Sequence, residues 1–371
     1  MTGNDLIIVA LSGGVDSAVT ALLLREAGHD VQCLHMSNWE DDGYCEAAKD
    51  FQDAREIARR LDLPLHRVNF TDEYRDQVFA SFLEEYAAGR TPNPDVLCNR
   101  QIKFGEMRRY AERLGGTRLA TGHYARLNAT EEGVQLLKGR DQNKDQSYFL
   151  HAVSESEFDG VQFPLGELTK QEVRDHAASA GLPVAEKKDS TGICFIGERP
   201  FAEFLGEYLP VNPGEIKTPN GDKLGEHQGI AYYTLGQRQG LRIGGLAGYG
   251  PEPWYVAGKV HERNELIAVQ GGQHPLLFKN WLSATDVHWI NSAPMAANES
   301  FRCRAKTRYR QPDQACTVTA GNDGTLEVLF DEPQRAITPG QYVVFYQEDR
   351  CLGGATIQSS ESLPAAVEAA G

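Results

Sequence analysis

The chain has 371 residues, which at about 150 residues per domain predicts two or three domains. Hydrophobic residues make up 41% and charged residues 24%, ordinary globular proportions that exclude disorder, collagen and fibrous repeats. The 37 Lys and Arg against 52 Asp and Glu leave a net charge of −15, which disfavours a nucleic-acid partner unless a local basic patch overrides it.

The longest strongly apolar run, Leu6–Leu11, is the first predicted strand. It is far short of the roughly 18 residues a membrane span needs. Met1–Asp5 carries neither a basic stretch nor a long apolar run, so the expectation is a soluble, cytoplasmic chain with no membrane association. A helix over Ser17–Ala27 follows, then a strand over Val31–Met36. Ala47, Phe51, Ala54, Ala58 and Leu61 share one face at period 3.6. Leu65–Phe70 reads as a strand, Asp72–Ala88 and Gln101–Leu114 as helices, and Arg118–Thr121 as a strand. This alternation predicts an α/β domain, a parallel sheet covered by helices on both faces. Thr169 and Glu172 form a capping-box pattern for a helix ending at Gly181.

The pattern changes after Leu209. Pro- and Gly-rich turns punctuate short β-type runs, with a hairpin predicted at Trp254–Val260 and Glu265–Val269. From Trp281 alternating runs follow at Phe301–Arg310, Ala315–Ala320, Thr325–Phe330, Gln341–Tyr346 and Cys351–Ile357. Even spacing with Gly/Asn/Asp turns predicts small antiparallel barrels. The expected division is 1–209 for the nucleotide-binding catalytic domain, 210–277 for a small β-rich central domain, 278–358 for a C-terminal antiparallel β-barrel and 359–371 for a loose tail.

The first strand runs through Ser12-Gly13-Gly14-Val15-Asp16-Ser17 straight into a helix. Glycines let backbone N–H groups approach an anion, and the helix N-terminus adds partial positive charge. The hydroxyls of Ser12 and Ser17 suit phosphate, and Asp16 suits a magnesium ion. The loop has neither the Gly-Lys-Ser/Thr of a Walker motif nor a Gly-x-Gly-x-x-Gly. It resembles the pyrophosphate loop of enzymes that cleave ATP to AMP and pyrophosphate. That resemblance implies an activation step and leaves the acceptor open.

Seven cysteines are scattered without a Cys-x-x-Cys or a Cys/His cluster. Neither zinc, nor a cysteine-ligated iron–sulfur cluster, nor a secreted disulfide framework is expected. Cys98 follows the extended Thr91-Pro92-Asn93-Pro94-Asp95 segment, just before the predicted helix at Gln101 and close to Lys103. A helix N-terminus and a cation both lower a thiol pKa. Cys194, after Lys187 and Lys188 and a Gly-containing approach, reads the same way. Cys33, Cys303, Cys316 and Cys351 fall on strand-like runs and read as small buried residues; Cys45 fits either reading.

The blocks Ala10–Ser17, Asn93-Pro94-Asp95 with Cys98-Asn99, Thr121–Tyr124, Lys144–Phe149, Gly192–Gly197, Tyr233–Arg238 and Lys306–Gln311 together resemble the bacterial tRNA-specific 2-thiouridylases, in the family's order and over nearly the whole chain. The resemblance implies a Rossmann-like N-terminal domain of the adenine nucleotide alpha hydrolase kind. It implies ATP with Mg2+ as cofactors, and tRNA and a persulfide donor (a cysteine desulfurase or a relay protein) as partners. Cys98 would be the nucleophile and Cys194 the persulfide carrier, the pair ending each cycle as a disulfide. ATP would meet Ala10, Leu11, Ser12, Gly13, Gly14, Val15, Asp16 and Ser17, with Met36 and Gly122 beside them. Asn93, Pro94 and Asp95 would hold the target base. His123, Lys144, Asp145, Gln146, Arg308, Tyr309 and Gln341 would contact the tRNA. Packing is the competing role for His123, an exposed strand position for Gln341, and helix capping for Asp95, whose placement three residues before Cys98 also suits acid–base work.

Positions 302, 304, 306, 308 and 310 are Arg, Arg, Lys, Arg and Arg, one face of a strand at period two. They predict a phosphate track on the barrel. Arg100, Lys103, Arg108, Arg109 and Arg113 predict a second basic lane beside Cys98. An amide-forming synthetase would explain the loop alone, and an RNA-binding module the basic strand alone. Only a sulfurtransferase uses the loop, the cysteines and the basic residues together.

Overall fold

The computed structural model describes residues 5–39, 47–131, 133–188, 193–197, 199–245 and 248–362. Cys45 and the Asp189–Gly192 approach to Cys194 lie outside them.

β1 (Leu6–Ala10), α1 (Val15–Glu26), β2 (Asp30–Ser37), α2 (Ala47–Arg60) and β3 (Leu65–Asn69) open the chain as two strand–helix–strand units. Two longer helices follow, α3 over 71–87 and α4 over 94–113, each with a π-helical stretch, Arg75–Phe79 in the first and Cys98–Met107 in the second. β4 (Arg118–Ala120) returns beside β1. A hairpin of β5 (Ala125–Thr130) and β6 (Gly133–Lys138) comes next. Short helices α5 (Ser147–Leu150) and α6 (Glu155–Phe158), β7 (Val161–Gln162), α7 (Lys170–Ser179) and α8 (Phe201–Gly206) complete this part. The five strands form an all-parallel sheet in the order β3-β2-β1-β4-β7. Strand order reverses between β1 and β4, so the crevice past their C-terminal ends is the ligand-binding position of such a sheet. β1 is buried almost throughout, as a strand covered on both faces must be.

α4 begins earlier than expected. Asn93 accepts the Asp95 N–H at 3.2 Å, and Pro94 occupies the first helical position, where its missing N–H costs nothing. The helix therefore starts seven residues before Gln101, and Cys98 lies inside it. Capping falls to Asn93, not Asp95.

The central sheet joins β8 (Gly214–Lys217), β9 (Lys223–His227), β10 (Trp254–Val260) and β11 (Glu265–Gln270), with the expected hairpin between the last two. β12 (Phe278–Trp289), β13 (Ser300–Lys306), β14 (Gln314–Ala320), β15 (Leu326–Arg335), β16 (Tyr342–Gln347) and β17 (Arg350–Glu361) close into an antiparallel barrel through pairing of β12 with β17. β17 continues to Glu361, opposite Trp281, so 359–361 belong to the barrel and not to a loose tail. β5 and β6 extend this barrel sheet, Leu136 pairing with Cys351 and Leu137 with Arg350. Among the described residues no helix is long and apolar enough to cross a membrane.

Candidate active site

The Ser12–Ser17 loop occupies the crevice at the end of β1. Gly13 adopts φ +88, and a Cβ there would collide with the Asp50 carbonyl oxygen, so this position takes glycine. Ser17 Oγ accepts the Ser12 N–H at 3.1 Å and donates to the Gly14 carbonyl at 3.1 Å. Gly14 is the N-cap of α1 and supplies no side-chain cap, which leaves the first N–H groups of a 12-residue helix available to an anion. Gly122, following β4, packs so closely that an added Cβ would stand 3.0 Å from Ser17 N. Met36, near the end of β2, is half-buried. This set fits the phosphates of ATP.

Asp16 does not fit a metal ligand as placed. Its Oδ1 accepts from Tyr124 Oη at 2.7 Å, and Lys170 Nζ stands 2.7 Å and 2.8 Å from its two oxygens. Both oxygens are committed to an ammonium, and no cluster of three metal-ligating side chains occurs among the described residues. Lys170 and Tyr124 were not legible as site residues: they lie 154 and 108 positions from Asp16. The only local signal was the Thr169/Glu172 capping box, which forms.

Asp95, Cys98, Lys103 and Cys194 gather in one electrostatic neighbourhood. Asp95 and Cys194 are exposed and Cys98 is buried at 6%. Burial pushes the Cys98 thiol up to about 12, opposed by the Lys103 charge and reinforced by charge on Cys194 and Asp95. Solvent reaches Cys194, yet the surrounding protein desolvates it and raises its thiol, again opposed by Lys103. Desolvation likewise raises the Asp95 carboxyl, and Lys103 lowers it. The lowered thiol expected at Cys98 is thus reversed at rest, because Cys98 sits a full turn inside α4 and desolvation exceeds the cation's effect. The cation near Cys194 is also not the expected one. Lys187 instead bonds the Gly13 carbonyl at 3.1 Å, Asp50 at 2.8 Å and Asp53 at 2.6 Å, tying the nucleotide loop to α2.

The next residue, Phe195, anchors Cys194. Its ring lies 4.8 Å from Phe82, 5.0 Å from Phe79, 5.5 Å from Phe204, 5.8 Å from Trp39 and 6.0 Å from Tyr74. Tyr74 is 2% exposed and feels charge on Cys98, Cys194 and Asp95.

Comparison with known proteins matches residues 5–198 to a family model described as tRNA methyl transferase HUP domain, 202–270 to a tRNA methyl transferase PRC-barrel domain and 279–357 to an aminomethyltransferase beta-barrel domain. A tRNA-specific 2-thiouridylase MnmA of Marinobacter nauticus is 55% identical, covering 98% of this chain and 94% of its own. Its namesake in Methylococcus capsulatus is 55% identical, covering 98% and 99%, and that of Chromohalobacter salexigens is 57% identical, covering 95% and 92%. The chain belongs to the tRNA-specific 2-thiouridylase family.

Several residues that the 2-thiouridylase resemblance assigned to tRNA are engaged within the protein. His123 is 6% exposed, bonds Thr121 Oγ1 through Nδ1 at 2.6 Å and lies against Phe104 and Phe163. Burial holds its imidazole well below the usual range. Asp145, 2% exposed, accepts from the Gly139 and Ser147 N–H groups and from Lys306. Gln146 accepts the Tyr124 N–H. Arg308 donates to the Leu235 and Ala336 carbonyls, joining a turn of the central domain to the barrel. Gln341 donates to the Thr91 and Pro92 carbonyls, fixing the segment before Asn93. Tyr309 lies 4.4 Å from Phe149 and donates to the Lys144 carbonyl.

The expected phosphate track does not form. β13 ends at Lys306, Arg302 pairs with Asp331, Arg304 with Asp313, and Lys306 is buried at 6% beside Asp145. Of the five, Arg310 is the one exposed cation without an ion pair among the described residues. The α4 lane is thinned in the same way: Arg108 pairs with Glu112, Arg109 with Glu106, and Arg113 lies over Tyr110.

Proposed function

We propose that this chain converts the wobble uridine of tRNA to 2-thiouridine by adenylation followed by persulfide transfer. Thiolation of tRNA is the activity named for its full-length relatives, and use of ATP accords with the family and with the open N-terminus of α1. The C2 oxygen attacks the α-phosphorus of ATP, the α–β phosphoanhydride bond breaks with release of pyrophosphate, and the adenylyl group turns that oxygen into a leaving group. Ser12, Gly13, Gly14 and Ser17 bind the phosphates, and Met36 and Gly122 border the nucleotide. Asn93, Pro94 and Asp95 receive the base.

Cys194 carries the incoming sulfur as a persulfide, delivered by a cysteine desulfurase or a relay protein. Its outer sulfur attacks C2, and the C2–O bond breaks as AMP departs. The Cys98 thiolate then attacks the Cys194 inner sulfur. This breaks the S–S bond to the transferred sulfur and forms a Cys98–Cys194 disulfide, whose two electrons bring the transferred sulfur to the thiocarbonyl level. A thiol reductant restores both cysteines. Attack of Cys98 before transfer, freeing hydrosulfide, has the same balance.

The observation that carries this reading is that Cys98 packs into the same buried cluster as Tyr74 and Phe195, the residue next to Cys194, although 96 positions separate the two cysteines. Two structural thiols have no need of that shared, partly open neighbourhood. The test is nucleoside analysis of tRNA incubated with the protein, ATP and a persulfide donor. One 2-thiouridine and one AMP per turnover are expected; AMP without thiolated nucleoside would overturn the reading.

A further inference from the structure

In an α-helix a residue five positions on stands about 140° round the axis, so Lys103 would face away from Cys98. α4 is not α-helical here. Residues Cys98–Met107 form a ten-residue π-helical stretch, and in such a winding, closed by i to i+5 hydrogen bonds, residues five apart come to lie roughly over one another. Gly105 contributes locally: a Cβ there would stand 3.2 Å from the Arg100 carbonyl oxygen, five residues back. A bulkier residue would crowd the wider turn. The winding therefore presents Cys98 and Lys103 on one face. Lys103 is half-buried and makes no hydrogen bond or ion pair among the described residues, unlike its neighbours Arg108 and Arg109.

We infer that Lys103 is the electrostatic positioning residue of sulfur transfer, brought onto the Cys98 face by the π-helical turn to favour the anionic forms of the Cys98 and Cys194 sulfurs when they react. Each lost proton passes to solvent. The groups facing this space are Asp95 on the same helix, Cys194 on the segment 193–197, Tyr74 from α3, His123 after β4, and Asp50 of α2, whose charge reaches Cys194. Lys103 opposes desolvation at both cysteines, whereas Asp95 adds to it. Removing the ammonium leaves the acid and the burial acting together. The role in transfer rests on the function proposed above; the effect on the thiols does not.

The test is the pH profile of iodoacetamide alkylation at Cys194 in the full chain, followed by mass spectrometry. Lys103→Met should move the midpoint upward by about one pH unit, so that alkylation slows about ten-fold at a pH below it. Lys103→Arg should restore most of the rate. Lys103→Gln, which keeps a polar half-buried side chain, provides the same measurement should the Met variant fail to fold. An unchanged midpoint in the neutral variant would overturn the inference. Thiolation by the parent protein is measured alongside: a shifted midpoint with no 2-thiouridine from the parent would uphold Lys103's action on the thiols and reject the proposed function instead.

Discussion

At the residue scale, the two cysteines are held in opposite states of access, and their variants should differ accordingly. Cys194 is exposed, while Cys98 is buried with its thiol pushed up to about 12. Cys194→Ser should lose the persulfide adduct and reduce 2-thiouridine to background while still binding tRNA. Cys98→Ser should load sulfur on Cys194 and fail to transfer it, because a hydroxyl cannot replace a thiolate nucleophile. Intact-mass measurement after exposure to the persulfide donor distinguishes the two; thiolation by Cys98→Ser with its normal donor would remove Cys98 from the mechanism. The raised resting thiol also means that Cys98 reacts as a thiolate only when its burial is relieved or further positive charge reaches it.

At the scale of elements, the site is built by segments pinned onto a shared core. Phe195 fastens the segment carrying Cys194 into an aromatic cluster of α3 and α8. Phe195→Ala should lower stability by about 3–5 kcal/mol and slow sulfur transfer more than ATP cleavage. Denaturant melts and the ratio of AMP to 2-thiouridine check this. His151, after α5, wedges against the barrel: it is 1% exposed, its ring lies 4.9 Å from Tyr342, and a Cβ on Gly354 would collide with it. Burial holds its imidazole at about 4, below the ordinary 6.5. The neutral ring's contribution is present above pH 6.5 and is lost as pH falls towards about 4. That loss amounts to about 3 kcal/mol. Calorimetry between pH 7 and 4.5 should show a falling Tm, flattened in His151→Gln. An equally steep fall in the variant would place the acid sensitivity elsewhere, as at His35 or His123, whose imidazoles are also lowered.

At the scale of the whole molecule, charge serves assembly before it serves RNA. Lys306 ties the barrel to the Asp145 segment, and Arg308 ties it to the turn at Leu235 in the central domain. Lys306→Met should act on stability, leaving Asp145 buried without its cation, and should not change the salt dependence of tRNA binding. Arg310→Ala should leave the melt unchanged and reduce the slope of log affinity against log salt by about 0.9 if that side chain meets one phosphate. Equal slopes in parent and Arg310→Ala would take this residue out of the RNA interface. The net charge of −15 makes the placement of each unpaired cation matter more than their total.

What the sequence determined by itself was everything carried by neighbours in the chain. Ser12–Ser17 between a buried strand and a helix, the Thr169/Glu172 box and the alternating runs of the barrel depend on spacings of a few residues. Periodicity and turn chemistry report those directly. Tertiary structure decided the rest. It set which cations were spent on acids, why the β5–β6 hairpin joined a barrel more than 200 positions away, and that Lys170 pairs with Asp16. It also buried Cys98, raising a thiol that its local neighbours alone would lower. The physical reason is the same in each case. Desolvation and ion pairing depend on which surfaces meet after folding, and period-two or period-3.6 patterns say which face turns inward but not what it meets there.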